Sequence, residues 1–218
     1  MQPLLFHVAR VSTSAIALAA AVIGGCRIAI TFAAMMLFLA AFALVHDLMH
    51  GALGLGRRAN DAALALCGLV LLMSGHALRA HHLRHHLRPL GDDDLEGAPA
   101  RLPLPLALLL GPMHAIALRI FAWVLAIPRD RMWQGVETIA DLAVALALVR
   151  NPPGRVIAIS LLSMQCTMAV WAAHIPHRPP AWMLKIARVF VGLRSPTVLS
   201  LLRHREHHAA PKVPCQAL

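Results

Sequence analysis

Long uncharged apolar runs dominate the chain, and neither strand-like alternation nor a one-sided helical stripe organises it. Residues 156–175 and 28–45 contain no Lys, Arg, Asp or Glu. A bilayer core about 30 Å thick needs roughly 20 apolar residues per helical pass, so each predicts a membrane-spanning helix. Residues 11–23 are apolar but short, and a span there must borrow 6–10, with Arg10 reaching back to the headgroups. Gly24-Gly25-Cys26-Arg27 is the only break before the next run, which predicts a tight helical hairpin. Residues 133–149 form a weaker fourth run that carries Glu137 and Asp141. Acids inside a membrane segment are costly and face the protein interior. The expected spans are about 6–24, 28–46, 133–150 and 156–175.

Three further apolar stretches are awkward as spans. Residues 62–73 suit an interfacial or half-inserted helix. Residues 102–127 are interrupted by Pro103, Pro105 and Gly111-Pro112. Residues 183–202 are amphipathic and basic, as in a helix lying on a membrane surface, and Ser195-Pro196 reads as a helix start.

Composition sharpens the class. The 218 residues are 59% hydrophobic and 14% charged, against about 45–50% and 25% in soluble domains. That excludes an ordinary water-soluble globule and a disordered chain. The expectation is an all-α integral membrane protein, a single domain over 1–218. It has about four transmembrane helices, interfacial helices and a cytoplasmic cap.

Charge supplies the orientation. With four spans and both termini on one side, 17 of the 20 Lys and Arg fall on that side, and only Arg27, Arg150 and Arg155 on the other. The positive-inside rule makes the 17-residue side cytoplasmic, as in a bacterial inner membrane. Acidic lipid or an acidic partner protein complements such a belt. Nucleic acid does not fit, because no soluble basic domain carries it. Ile23-Gly24-Gly25-Cys26 also looks like a lipoprotein cleavage site, but an uncleaved hairpin is the expected reading. Cys26, Cys67, Cys166 and Cys215 form no close pairs, so neither a disulfide framework nor a zinc ribbon is expected.

The histidines change the picture most, with 14 in the chain. His46 and His50 close the second span at i and i+4, on one helix face. His82, His85 and His86 sit at i, i+3 and i+4, and His204, His207 and His208 repeat that spacing. All three boxes, at 46–50, 81–86 and 204–208, map to the same membrane face. Eight imidazoles, or nine with His177 at the end of the fourth span, exceed the four ligands of one tetrahedral ion, so two metals are expected. Imidazole spacing alone leaves iron, zinc and copper open. Asp47, Asp94 and Glu206 are candidates to orient the rings, and His81 and His174 are candidate ligands or hydrogen-bonding neighbours. His7, His76 and His114 read as interfacial or packing residues.

These residues resemble the membrane fatty acid desaturase family. The first box is H-D-x-x-H followed by Gly51, and the second is H-x-x-H-H followed eight residues later by Asp94. The third is H-x-E-H-H-x-x-P, ending at Pro211. Ile175-Pro176-His177-Arg178-Pro179 and Pro211-Lys212-Val213-Pro214 are also similar to bacterial beta-carotene ketolases, whereas Leu95, Arg203 and Cys215 depart from that pattern. The resemblance covers about 45–214 and implies His177 as the ninth ligand.

The implied activity is that of a membrane-bound non-haem di-iron oxidoreductase using O2 on a lipid, a fatty-acyl desaturase in the leading reading. The alternative is a carotenoid ketolase or hydroxylase, or another lipid hydroxylase. A metal transporter or a haem membrane protein is more remote. The chain carries no flavin fingerprint and no cysteine set for an iron–sulfur cluster. Electrons are therefore expected from an external ferredoxin-like or cytochrome-like donor.

Overall fold

The structure is a computed structural model that describes residues 3–185 and 202–217. Among the described residues every regular element is helical. Helix α1 (Pro3–Ile23) packs antiparallel on α2 (Arg27–Met49) across the Gly24–Cys26 turn. Gly25, at φ +67°, makes that reversal. The first span, too short as an apolar run, gains its length from residues 3–10. His7 is the buried residue of α1, because its ring finds a carboxylate on α2.

Among the described residues, three helices are long and apolar enough to cross a membrane: α1, α2 and α8 (Pro152–His177). Asn151 starts α8 by accepting from the Gly154 N–H at 2.8 Å, with Pro152 and Pro153 in the first turn. Ala169–His174 winds as a wider π-type turn before the helix ends at His177. Helix α7 (Pro128–Leu148) occupies the fourth expected stretch, and its charged residues keep it out of that group of three. It buries Gln134 and Glu137 and turns Val136, Ile139, Leu142 and Leu146 outward.

Helices α3 (Arg57–Leu71) and α4 (Gly75–Leu87) meet at 103°, as a broken span or a re-entrant loop does. Glycine permits the bend. A Cβ on Gly68 would lie 2.5 Å from the Met73 carbonyl oxygen and 2.7 Å from the Gly75 nitrogen. The carbonyls freed at the end of α3 need partners where water is absent. Gln165 of α8 supplies them, its Nε2 donating to Leu71 O at 2.8 Å and Leu72 O at 3.1 Å. Gln165 lies twelve residues before His177, about 18 Å along the helix. The bend is therefore deep, and α4 runs from it back toward the level of His177.

The proline-interrupted stretch forms a short helix α5 (Leu104–Leu109) and an apolar helix α6 (Gly111–Leu125) packed on α4 and α8. The core joins Phe38, Val45 and Leu48 of α2, Leu64 and Leu71 of α3 and Leu161 and Met164 of α8. Outside it, Ile16, Phe32, Ile139 and Ile159 are well exposed, an apolar exterior that suits lipid and not water. The basic surface helix expected at 183–202 falls almost wholly at 186–201, outside the described residues.

Candidate metal centre

Four pieces of chain deliver the imidazoles. The end of α2 brings His46 and His50, α4 brings His82, His85 and His86, and the end of α8 brings His177. The last helix, His204–Ala209, brings His204, His207 and His208. All nine candidate ligands converge on one cluster. His46, His50, His82 and His207 form one quartet, and His85, His177, His204 and His208 form another. Within each quartet one ring nitrogen per residue lies within 4.8 Å of the others. His86 joins them, with its Nε2 3.2 Å from that of His82 and 3.0 Å from that of His207 in the first quartet and its ring 4.2 Å, centroid to centroid, from that of His208 in the second.

The chemistry of this donor set fits cations. A neutral ring nitrogen carries either one hydrogen or one lone pair. In the second quartet the Nε2 atoms close a ring, His85 to His208 at 3.2 Å, His208 to His204 at 3.0 Å, His204 to His177 at 3.1 Å and His177 to His85 at 3.3 Å. Four such atoms satisfy at most two of those four contacts as hydrogen bonds. The others have no hydrogen left to bridge them, and two ring nitrogens meet there unbonded. A cation among them accepts every lone pair at once, so the residues present fit a pair of metal ions.

The far side of several rings is fixed by partners. Asp94 Oδ2 accepts from His85 Nδ1 at 2.7 Å and from the Leu90 N–H at 2.8 Å, while Oδ1 accepts from the Gly97 N–H at 3.0 Å. Glu96 accepts from His82 Nδ1 at 2.7 Å and from His81 Nδ1 at 2.5 Å. In both cases the carboxylate holds the Nδ1 hydrogen and leaves the Nε2 lone pair for the cluster. Burial opposes ionisation of Glu96, yet the His82 and His81 rings beside it hold its carboxyl well below the usual range. Burial likewise raises Asp94, and the bonds from His85 and from the Gly97 and Leu90 N–H groups together outweigh that and lower it.

Three of the candidate ligand rings, His50, His204 and His208, resist protonation, whereas the bond to Asp94 raises His85 against the effect of its burial. Burial, then the neighbouring His46 and His86, push His50 down to about 3. Burial, then His86 and His85, do the same for His208, to about 3, and His204 falls to about 2. Neutral imidazole is the form that binds metal, so these three donors stay ready well into acid.

The remaining candidates divide. Asp47 accepts from His7 Nε2 at 2.9 Å and from the Cys215 N–H at 3.1 Å, and it stands 3.8 Å from His46 Nδ1. His81 touches no other ring of the cluster and pairs with Glu96. His174 donates from Nδ1 to the Pro99 carbonyl at 3.0 Å. Glu206 is exposed, and among the described residues it accepts no bond from a ligand ring. Two positions after His204 on a helix, it points away from the face that carries His204, His207 and His208.

Sequence reasoning missed Glu96, Cys215 and His7. Glu96 had a weak signal, an acid two residues past Asp94. Cys215 places Sγ 3.1 Å from His46 Nδ1 across 169 residues, and His7 reaches Asp47 across 40, separations that no local spacing exposes. His76, read as packing, donates from Nδ1 to Glu137 at 2.6 Å and stacks on Trp133.

An apolar pocket adjoins the cluster, lined in part by Phe42, His46, His82, Leu118, Met168 and His204.

A family model for fatty acid desaturases matches residues 22–218. The chain belongs to the fatty acid desaturase family, and it is a membrane protein and a desaturase-like lipid oxidoreductase. Neither the curated proteins nor the solved structures include a significant match to it.

Proposed function

We propose that this protein is an O2-dependent di-iron enzyme that desaturates a fatty-acyl lipid. The observation that carries the reading is the pair of imidazole quartets, each with one ring nitrogen per residue gathered together, beside an apolar pocket. His46, His50, His82 and His207, with His86, would hold one iron. His85, His177, His204 and His208 would hold the other. Iron bound there supplies activation of O2 and the power to take hydrogen from an unactivated C–H bond. In the balanced reaction the chain loses two hydrogens, O2 takes them with two electrons and two protons, and two waters leave.

The residues do the positioning. Glu96 and Asp94 hold the rings of His82 and His85 in one tautomer and one orientation. Phe42, Leu118 and Met168 exclude water and align the acyl chain past the cluster. No protein acid or base is required at the reacting carbon.

The topology we propose has four crossings. The cluster brings the ends of α2 and α8 to one face. Helix α7 joins α8 through the short turn at 149–151, so the two run antiparallel, and α7 supplies the crossing that chain parity requires. Helices α3 and α4 enter and leave on the cluster side. The basic residues on that face make it cytoplasmic and steer an acidic ferredoxin-like or cytochrome-like donor.

The test is iron per chain together with mass spectrometry of host lipids. Loss of two mass units from acyl chains supports desaturation. A gain of sixteen or fourteen assigns the chain instead to hydroxylation or ketone formation, on an acyl chain or a carotenoid. An iron-free chain that leaves lipids unchanged refutes the proposal.

A further inference from the structure

Two histidines outside the quartets have one nitrogen each that nothing in the mechanism uses. The apolar pocket beside the cluster adjoins a second one, and the two share Leu78, His81, His114, Leu118 and Met168. His81 and His114 are the polar members of that shared wall. His81 is buried, and its Nδ1 donates to the Glu96 carboxylate at 2.5 Å. His114 donates from Nε2 to the Leu95 carbonyl at 2.9 Å. A carboxylate and a carbonyl oxygen only accept, so in the neutral form each ring has spent its one hydrogen. The nitrogens left over, Nε2 of His81 and Nδ1 of His114, are acceptors, and neither has a hydrogen-bond partner among the described residues. Burial favours the neutral ring at His114, which keeps its Nδ1 lone pair free.

An acceptor facing an apolar cavity costs free energy until a donor meets it. A bare hydrocarbon chain offers none. We propose that His81 and His114 select a lipid bearing a hydroxyl group on its apolar part, the O–H donating to one of these nitrogens as the chain lies along the cavity. This deepens the proposed function and rests on its reading of the cavity as the acyl site. A site built to bond a hydroxyl also discriminates strongly against the analogue that lacks it, because the site's own polar groups are then stranded.

The experiment is equilibrium binding to the purified full-length protein in lipid nanodiscs, so its readout needs neither turnover nor iron. The probes are stearate and a series of hydroxystearates whose hydroxyl steps along the chain. The expected result is one position, or two adjacent ones, binding about 10-fold or more tighter than stearate, the worth of one satisfied buried acceptor. His114→Leu is expected to flatten the series. His114→Gln, which keeps a donor for Leu95 and an acceptor for the cavity, is expected to restore it. The inference is overturned if no hydroxystearate exceeds stearate, or if the preference survives in both His114→Leu and His81→Leu. The wild-type series decides even if a variant fails to fold. A positional preference in a protein that leaves host lipids unchanged would uphold this inference while the proposed reaction fell.

Discussion

Replacing Glu96 with alanine tests how the cluster is held. In the native chain both carboxylate oxygens of Glu96 are used, one by His81 Nδ1 at 2.5 Å and one by His82 Nδ1 at 2.7 Å. Glu96→Ala strands two buried N–H groups. His82 is then free to turn, or to move its hydrogen to Nε2, where it blocks ligation. Loss of a partner that orients a metal ligand typically costs 10–100-fold in metal affinity, so about that weakening, roughly 1.4–2.8 kcal/mol, is expected. The loss should fall on one metal only, because Glu96 serves the His46, His50, His82 and His207 quartet. Asp94→Ala should act on the other quartet through His85. The assay is iron titration of apo-protein against a competing chelator, resolved into two binding steps. Glu206→Ala is the control, exposed and turned away from the rings, and should leave both steps unchanged. Wild-type affinity in Glu96→Ala, or a loss in Glu206→Ala matching it, would refute the reasoning.

Further outcomes follow from the same geometry. The folded pKa values of His50 and His208 lie near 3, below the ordinary 6.5, so the unfolded chain binds protons first. Their contribution to stability is present above about pH 6.5 and is lost progressively as the pH falls toward 3. Apo-protein melting temperature should accordingly be flat on the alkaline side of that window and decline on the acid side; a melting temperature that rises on acidification would contradict this. Gln165→Leu strands the Leu71 and Leu72 carbonyls at the α3–α4 bend and should destabilise the protein by about 1–3 kcal/mol, measured by thermal unfolding in detergent. Reduction by an acidic donor should slow as salt rises, read by stopped flow; a rate indifferent to salt would remove steering from the explanation.

How much the amino-acid sequence reveals depends on whether a feature is local. The thickness of a bilayer sets a run length, so the α2 and α8 stretches are legible directly, as are the i, i+3, i+4 boxes. The α1 span looked too short because its first turns mix polar residues with apolar ones, and His7 in them is buried only because Asp47 comes to meet it. The α3–α4 bend depends on Gly68 and Gly75 passing each other and on a glutamine from a helix some 90 residues on, which no window captures. The supporting acids show the same limit. Glu206 sits inside a box and faces out, while Glu96 sits outside any box and holds two rings, because helical phase decides the first and loop path the second. Cys215 stood out in sequence only as a departure from a pattern, and its place beside His46 comes from the return of the chain's last residues to α2.

The most direct test is metal content joined to the ligand set. Purified protein, loaded anaerobically and freed of loose metal, should hold two irons per chain with the spectroscopic signature of a coupled pair. His85→Ala and His207→Ala should each lose iron and lipid oxidation together. A single iron per chain in fully active protein, or either variant keeping both irons and its product, would contradict the di-iron reading.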